Sequence, residues 1–248
     1  EAIPDVTDDG EPDVAYAASD GTLFLLDGAS GREVARTVLP TRVPKVLSID
    51  GGRLFWFTAS PQDRAVKVGS LRLKGLSIEW ERDLDPAAGI LPYPGQADEE
   101  VELAVILSSS RCGVLDARTG VDRWSVPVPV QGKPSLADIV ESKGGEAVLP
   151  LLGKGREMVV LDLRDGHVLW RVPSGVLWVH RPAHGWDLVL YETATGIEAR
   201  GLRGGELRWG LAGSSIDTCP ADLDGDGQEE LIISVEGTGL RCVDMDGR

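Results

Sequence analysis

One turn motif recurs along the chain at a nearly constant spacing. Successive copies are 44, 45, 46, 39 and 42 residues apart, counted between the six glycines that end the turns: Gly31, Gly75, Gly120, Gly166, Gly205 and Gly247. The fullest copies, such as 160–170, read as a strand ending in Leu-Asp, a turn ending in Gly, and a strand with Trp four residues later. A repeat of this length with short strands throughout predicts a propeller or a solenoid rather than a series of unrelated domains.

Each repeat is predicted to contain four strands, and the repeat at 130–175 shows them most clearly. Its apolar runs are separated by clusters of Gly, Asp, Ser and Pro, as hairpin turns require. The runs cover residues 135–138, 147–152, 157–162 and 167–173. No segment of the chain has a sustained apolar period of 3.6 residues, so helix should be almost absent.

We therefore predict an all-β chain that forms a single β-propeller domain over residues 1–248, with about six four-stranded blades. The predicted repeats are approximately 1–40, 41–89, 90–129, 130–175, 176–213 and 214–248. The last repeat stops at Arg248, where its outer strand should begin. A six-bladed ring and a segment of a seven- or eight-bladed ring both remain open.

The Asp, Gly and Trp residues that recur in the motif have local explanations. An Asp at the start of a turn can accept a hydrogen bond from the backbone two residues on, and a Gly at its end can adopt a positive φ. The Trp of the outer strand is predicted to cover the boundary with the neighbouring blade, with its N–H directed at a hydrogen-bond acceptor. These residues are therefore predicted to be structural.

The most acidic segment, residues 222–230, has the sequence DLDGDGQEE and leads directly into the apolar run LIISV. Its odd-numbered loop positions carry the candidate ligands Asp222, Asp224, Asp226, Gln228 and Glu230. Ca²⁺ binds six to eight oxygens, which four carboxylates and the main-chain carbonyl at position 7 can largely supply. An EF-hand would need a Glu at position 12, where Ile233 stands, and a helix on each side. We predict a calcium loop that enters a strand.

The N-terminus repeats this pattern over residues 5–13. The corresponding candidate ligands are Asp5, Thr7, Asp9, Glu11 and Asp13. The third and fourth repeats retain only remnants of the pattern, such as Asp98 and Asp138. We predict two calcium sites rather than six, and the alternative for either loop is a solvated acidic turn.

Both patterns resemble known families. The blade units are similar to those of pyrroloquinoline-quinone-type propellers, and the DLDGDGQEEL loop resembles the FG-GAP calcium loop of integrin-like propellers. The resemblance covers essentially the whole chain and implies an extracytoplasmic propeller of the kind common in bacteria, in some cases fused to a membrane anchor or a kinase. It specifies the fold more than the function.

Charge and composition limit the kinds of partner that the chain can have. The net charge is −15, from 25 basic and 40 acidic residues, which argues against nucleic acid. No apolar run reaches the roughly 18 residues of a membrane span, although an anchor outside this sequence remains open. Cys112, Cys219 and Cys242 are widely spaced, and a Cys219–Cys242 disulfide is an open alternative to three free thiols.

No catalytic or cofactor-binding residue is predicted. A quinoprotein dehydrogenase is the enzyme that the resemblance would imply, but no two cysteines are adjacent, and the acidic residues are explained by the calcium loops. Nucleophile-elbow, Walker and HExxH motifs are absent. A metal site at His180 and His184 is disfavoured because their surroundings read as strand and turn.

We therefore expect a non-enzymatic, calcium-stabilised propeller that binds a protein or an extended ligand, or acts as a sensor, outside the cytoplasm. The alternative is a structural subunit of an envelope complex, similar to the barrel-assembly lipoprotein propeller. A quinoprotein dehydrogenase is the least favoured reading.

Overall fold

The structure is a computed structural model. It describes residues 2–3, 5–40, 44–50, 52–58, 66–84, 89–93, 102–106, 111–116, 118–127, 135–136, 139–142, 144–180, 186–213, 215–235 and 239–248. Within these ranges the regular structure consists of strands and no residue is helical, so the all-β prediction is confirmed. The chain divides into two compact units, residues 1–125 and 126–248.

The first unit contains three four-stranded sheets, numbered here in chain order. Sheet 1 consists of β1 (Ala2–Ile3), β2 (Asp13–Ala17), β3 (Thr22–Leu26) and β4 (Glu33–Val38). Sheet 2 consists of β5 (Pro44–Asp50), β6 (Arg53–Thr58), β7 (Val66–Arg72) and β8 (Ser77–Leu84). Sheet 3 consists of β9 (Gly89–Tyr93), β10 (Glu102–Ile106), β11 (Arg111–Asp116) and β12 (Asp122–Pro127). In each sheet the strands lie in the order in which they follow one another along the chain.

The second unit contains three further sheets. Sheet 4 consists of β13 (Ser135–Leu136), β14 (Val140–Glu141), β15 (Ala147–Leu152), β16 (Met158–Asp162) and β17 (Val168–Val172). Sheet 5 consists of β18 (Val176–His180), β19 (Leu188–Thr193), β20 (Gly196–Gly201) and β21 (Leu207–Ala212). Sheet 6 consists of β22 (Ser215–Ala221), β23 (Glu230–Val235) and β24 (Gly239–Val243). Sheet 6 therefore has three strands within the described residues.

The repeat at 130–175 folds almost as its sequence pattern predicts. The three later segments form β15, β16 and β17, each within one residue of its predicted bounds. Of the predicted strand at 135–138, the structure describes β13 (Ser135–Leu136), and the short strand β14 follows at Val140–Glu141; both pair with β15. All strand pairs with a defined register in this sheet are antiparallel. The predicted single domain and the predicted number of blades stay predictions.

The turn chemistry is confirmed at the predicted positions. All six motif glycines have a positive φ, between 66° at Gly205 and 88° at Gly75. Asp116 accepts a hydrogen bond from the N–H of Arg118 at 3.0 Å. Asp162 accepts one from the N–H of Arg164 at 2.9 Å. The left-handed backbone at the end of each turn explains why glycine recurs there.

The outer-strand tryptophans pack as predicted. The ring of Trp80 on β8 lies against Gly120 in sheet 3, and the ring of Trp209 on β21 lies against Gly247 in sheet 6. The Nε1–H of Trp209 donates to the carbonyl of Met245 at 2.9 Å. Each ring therefore joins one sheet to the turn of the next sheet.

Apolar clusters lie between successive sheets within each unit. In the first unit, Leu23 and Leu25 of β3 pack with Trp56 and Leu71 of sheet 2. In the second unit, a cluster joins sheets 4 and 5, and another joins sheets 5 and 6. Alternate residues of each strand lie on the two faces of a sheet, so sheet 5 contributes to both clusters of the second unit.

The register of sheet 6 excludes the Cys219–Cys242 disulfide. Ile232 of β23 pairs with Cys219 on one side and with Cys242 on the other, so the two cysteines lie two strands apart. Two strand spacings are roughly 9–10 Å, beyond the ~7 Å that a disulfide can bridge. All three cysteines are free thiols. Among the described residues, no helix is long and apolar enough to cross a membrane.

Candidate metal centre

The acidic loop 222–230 connects β22 to β23, and its carboxylates hold the backbone in a tight curl. Asp222 accepts hydrogen bonds from the N–H groups of Gly225 at 2.7 Å and Gly227 at 3.1 Å. Asp226 accepts one from the N–H of Gln228 at 2.7 Å. Gly225 and Gly227 have φ values of 78° and 84°, which a residue with a Cβ rarely adopts. The two glycines thus allow the curl that the carboxylates cap.

This curl brings three predicted ligands together. Asp222, Asp224 and Asp226 each place a carboxylate oxygen within 4.8 Å of the other two, and all three side chains are exposed. Glu230 lies half-buried at the end of the loop and accepts the N–H of Leu223 at 2.8 Å. The side-chain amide of Gln228 donates to Asp226 at 3.2 Å, so the oxygen that Gln228 can offer a cation is its carbonyl. An all-oxygen set of this kind fits Ca²⁺ or another hard cation.

The N-terminal loop 5–13 has the same hydrogen-bond frame. Position 1 accepts the N–H of position 6 in both loops, from Gly10 to Asp5 at 2.7 Å as from Gly227 to Asp222. Position 9 likewise accepts the N–H of position 2, from Val6 to Asp13 at 2.7 Å. The N–H of Gly10 is also the main reason that the pKa of Asp5 is lowered. The two loops are thus structural copies of each other.

The copies differ at position 9. Asp13 is completely buried, and its oxygens accept the N–H groups of Val6, Thr7 and Gly28 at 2.7, 3.0 and 3.1 Å. The hydroxyl of Thr7 is shared between Asp5 and Asp13, at 3.3 Å from each. Glu11 is exposed, and the N–H of Glu11 donates to Asp9 at 2.9 Å. Among the described residues, the acidic groups of this loop form no trio as close as the one at 222–226. Asp13 therefore serves mainly to anchor the loop to the sheet.

In the fourth repeat the guanidinium group of an arginine, rather than a metal ion, neutralises the acidic side chains. Arg203, from the turn of sheet 5, contacts Glu146 at 2.6 Å and Asp162 at 2.5 Å. Glu146 is the position-9 residue of this repeat, and its N–H donates to Ser142 at 3.1 Å. The sequence pattern alone could not have indicated this pair, because 57 residues separate Glu146 from Arg203. Asp98 and Asp138 lie outside the described residues.

A cavity of about 510 Å³ opens beside the loop 222–230. Asp187, Asp244 and Asp246 line it together with the loop, and Trp186 and Met245 contribute apolar surface. Trp186 donates its Nε1–H to the carbonyl of Glu229 at 3.0 Å and meets Trp209 edge to face. Sequence reasoning missed these three aspartates, because they come from the turns of sheets 5 and 6 rather than from the loop.

A second group of possible ligands, Asp162, Asp165 and His167, is close enough to hold a metal. Asp162 is already paired with Arg164 at 2.7 Å and with Arg203. His167 contacts Asp165 at 2.6 Å and is more than half exposed. Two arginines on the central carboxylate disfavour a cation here.

The sheets of the described residues are antiparallel, four of the six have four strands, and apolar clusters join sheets 1 and 2, sheets 4 and 5, and sheets 5 and 6. This is the architecture of a β-propeller, and the comparisons with known structures support that class. The WD40 domain of SCAP from fission yeast is 13% identical, with a TM-score of 0.54 over 91% of this chain and 57% of that one. BBS1N in complex with ARL6DN is 14% identical, with a TM-score of 0.56 over 98% of this chain and 76% of that one.

The family follows from the sequence comparison. Residues 6–209 match the family described as outer membrane protein assembly factor BamB, so the chain belongs to that family. The structure of BamB from Moraxella catarrhalis is 15% identical, with a TM-score of 0.52 over 95% of this chain and 67% of that one. Curated proteins give no significant match.

Proposed function

We propose that this chain is a non-enzymatic, protein-binding propeller of the cell envelope that acts as a subunit of an assembly complex. The match of residues 6–209 to the outer membrane protein assembly factor family carries this proposal. The likeness to BBS1N, whose structure is a complex with ARL6DN, adds a structural neighbour that binds a protein. These relatives favour the envelope-subunit reading over the sensor reading.

The proposal includes a calcium ion in the loop 222–230. The convergence of Asp222, Asp224 and Asp226 supports it, since three clustered carboxylates repel one another unless a cation neutralises them. Extracellular calcium modules bind at roughly 10⁻⁴–10⁻³ M, which suits a site filled only outside the cytoplasm. The bound ion would fasten the chain between β22 and β23, beside the acidic cavity. The loop 5–13 is a weaker candidate, because Asp13 already accepts three backbone N–H groups.

Thermal unfolding with excess Ca²⁺ and with chelator tests the calcium part. At a hundredfold excess over the dissociation constant, a single site is expected to stabilise the fold by about 2.7 kcal/mol. The double variant Asp224→Asn, Asp226→Asn should lose this response. Asp8→Asn is the matched control, since Asp8 is an exposed aspartate of the other acidic loop at a position without a ligand role. Identical melts with and without calcium would reject the ion.

Affinity purification of the tagged chain from the envelope of its own cell tests the protein-binding part. We expect a small set of envelope proteins in near-stoichiometric yield after mild cross-linking. A chain that purifies alone under these conditions would contradict a subunit role. The dehydrogenase alternative predicts instead a bound chromophore in the visible spectrum of the purified chain.

A further inference from the structure

At two junctions between sheets, the turn that precedes the outer strand places a cation against the preceding sheet. In the first unit, Nζ of Lys74 from the turn of sheet 2 lies 3.4 Å from a carboxylate oxygen of Asp8 in the N-terminal acidic loop. In the second unit, Arg203 from the turn of sheet 5 contacts Glu146 at 2.6 Å and Asp162 at 2.5 Å. The chain thus supplies the counter-charge for its own carboxylates at both junctions.

The turn of sheet 6 has the same construction but no cation. The cations of sheets 2 and 5 lie one and two residues before the glycine that ends the turn. In sheet 6 these two positions hold Asp246 and Met245. The N–H of Gly247 donates to the carbonyl of Asp244 at 2.9 Å, and the ring of Trp209 packs on Gly247. The junction between sheets 5 and 6 therefore keeps the turn and lacks the counter-charge.

The acidic cavity of about 510 Å³ lies at this junction, entirely within the second unit. Seven of its eleven lining residues are acidic, and none of these described residues is basic. Asp187 stands directly before β19, as Glu146 stands directly before β15. Arg248 contacts Asp246 at 3.3 Å, but its side chain is 80% exposed and is not part of the lining. The lining therefore contributes negative charge to the cavity and no positive charge.

One wall of the cavity is apolar and held in place. It consists of Trp186, which is 4% exposed, and Met245. The Nε1–H of Trp186 donates to the carbonyl of Glu229 at 3.0 Å, and its ring meets Trp209 edge to face. A metal ion gains nothing from such a wall, whereas an arginine packs its methylene stem on apolar surface while its guanidinium group pairs with carboxylates. The lining therefore fits an arginine side chain better than a second ion.

We propose that this cavity receives the arginine side chain of a partner protein, whose guanidinium group takes the part that Arg203 has between sheets 4 and 5. The proposal rests on the protein-binding function proposed above and specifies the chemistry of the contact. Arginine forms planar, two-point hydrogen bonds with carboxylates. A calcium ion in the loop 222–230 would leave Asp187, Asp244 and Asp246 for this contact. The net charge of −15 attracts a basic partner at long range.

Binding of Nα-acetyl-arginine amide, a probe whose only charge is its guanidinium group, tests the site on the purified chain. We expect saturable binding that shifts the indole N–H resonance of Trp186 in a nuclear magnetic resonance titration. The neutral isostere Nα-acetyl-citrulline amide should bind at least ~10-fold more weakly, because the charge-assisted pair is lost. Both titrations are made in excess calcium and in chelator. No saturable binding of the arginine compound, equal binding of both compounds, or binding in chelator alone would overturn the proposal.

A variant that fills the cavity from within tests where the probe binds. Met245→Arg places a guanidinium group where Arg203 has one in its own turn, so this variant should fold and bind the probe at least ~10-fold more weakly. Leu207→Arg is the matched control, because it adds the same charge at a side chain that is 54% exposed on β21 and lies outside the lining. Asp187→Asn should weaken binding about threefold. Unchanged affinity in Met245→Arg would contradict the assignment of the cavity.

The reverse exchange tests whether a free guanidinium group can take the part of Arg203. Arg203→Ala removes the cation between sheets 4 and 5 and is expected to lower the Tm. The arginine probe should then raise the Tm of Arg203→Ala by more than it raises that of the wild type, because it binds at a second place in the variant. Equal increases would remove the precedent for the proposed contact and count against it.

Affinity purification from the envelope separates this proposal from the function on which it rests. Met245→Arg should lose envelope proteins that the wild type retains, whereas Leu207→Arg should keep them. Retention of the same proteins by Met245→Arg would reject the arginine contact and leave the subunit role intact. A wild-type chain that binds the probe but purifies alone would instead reject the subunit role, while the affinity of the cavity for a guanidinium group would stand.

Discussion

The indole ring of Trp170 on β17 packs against Gly205, the glycine that ends the turn between β20 and β21 in the next sheet. A Cβ added at Gly205 would lie 2.5 Å from Cγ of Trp170, well inside contact distance. The backbone of Gly205 has a φ of 66°, and the Nε1–H of Trp170 donates to the carbonyl of Leu202 at 2.9 Å. Glycine is thus required at this turn for two separate reasons, the backbone conformation and the ring above it.

Comparing Gly205→Ala with Gly31→Ala separates these reasons. Gly31 ends the equivalent turn of sheet 1 with a φ of 68°, and an added Cβ there meets nothing within 4 Å. We expect Gly31→Ala to cost about 1–2 kcal/mol, which is the penalty of a left-handed residue with a side chain. Gly205→Ala should cost about 1–3 kcal/mol more, because the tryptophan must move. Urea unfolding measures both, and equal losses would show that the ring adapts freely.

Position 9 of the two acidic loops allows a second matched comparison. Asp13→Asn replaces one acceptor oxygen by an amino group facing the N–H donors of Val6, Thr7 and Gly28, so we expect a loss of about 2–3 kcal/mol. This loss should be the same with calcium and with chelator. In chelator, Glu230→Gln should cost less than Asp13→Asn, because Glu230 is only half-buried. In calcium, Glu230→Gln should cost more than it does in chelator, because Glu230 is a predicted ligand. A calcium-dependent loss for Asp13→Asn would instead make Asp13 a ligand.

The sequence was most informative for features in which a residue type is required for a single local reason. Periodic Gly, Asp and Trp residues predicted the turns and the contacts between sheets, and alternate carboxylates predicted the curl at 222–230. No sequence pattern indicated that Arg203 neutralises the carboxylates of Glu146 and Asp162, because Arg203 reaches them from another sheet. The difference between Asp13 and Glu230 was also hidden, because burial depends on how each loop rests on its sheet.

The carboxylate of Asp162 should give the fold a defined response to acid. Asp162 is only 2% exposed, and hydrogen bonds from the side chain of Arg164 lower its pKa to about 2, with a further contribution from the charge of Arg203. A pKa that is lower in the folded state than the ordinary 3.8 means that this group stabilises the fold above pH 4 and loses that effect as pH falls toward 2. The difference corresponds to about 2 kcal/mol.

Unfolding free energies of the wild type and of Asp162→Asn, measured from pH 5 to pH 2, test this response. The gap between the two proteins is expected to narrow toward pH 2, because protonation removes the charge that the variant already lacks. Asp244→Asn is the control, since Asp244 holds the equivalent turn through the N–H groups of Asp246 and Arg248. A constant gap over the whole range would mean that Asp162 contributes by packing or hydrogen bonding rather than by charge.

Sheet 1 has an alanine where later sheets have the tryptophan that covers a turn. Ala35 of β4 pairs with Leu25 as Trp170 pairs with Val160 and as Trp209 pairs with Ala199. A tryptophan at position 35 would cover the turn that ends at Gly75, where an added Cβ meets nothing within 4 Å. The preceding residues Leu73 and Lys74 line a cavity of about 370 Å³. The place for the ring is thus present without the ring.

We therefore expect Ala35→Trp to stabilise the chain by about 0.5–2 kcal/mol, as filling a space between packed elements commonly does. Gly75→Ala provides the test of where the ring goes. In the wild type this change should cost only the backbone penalty, whereas in the Ala35→Trp background the new Cβ should collide with the ring and cost at least ~0.5 kcal/mol more. Urea unfolding of the four proteins gives this coupling energy directly. Additive effects would mean that the introduced tryptophan packs elsewhere, and that the missing ring in sheet 1 reflects a different arrangement of that turn.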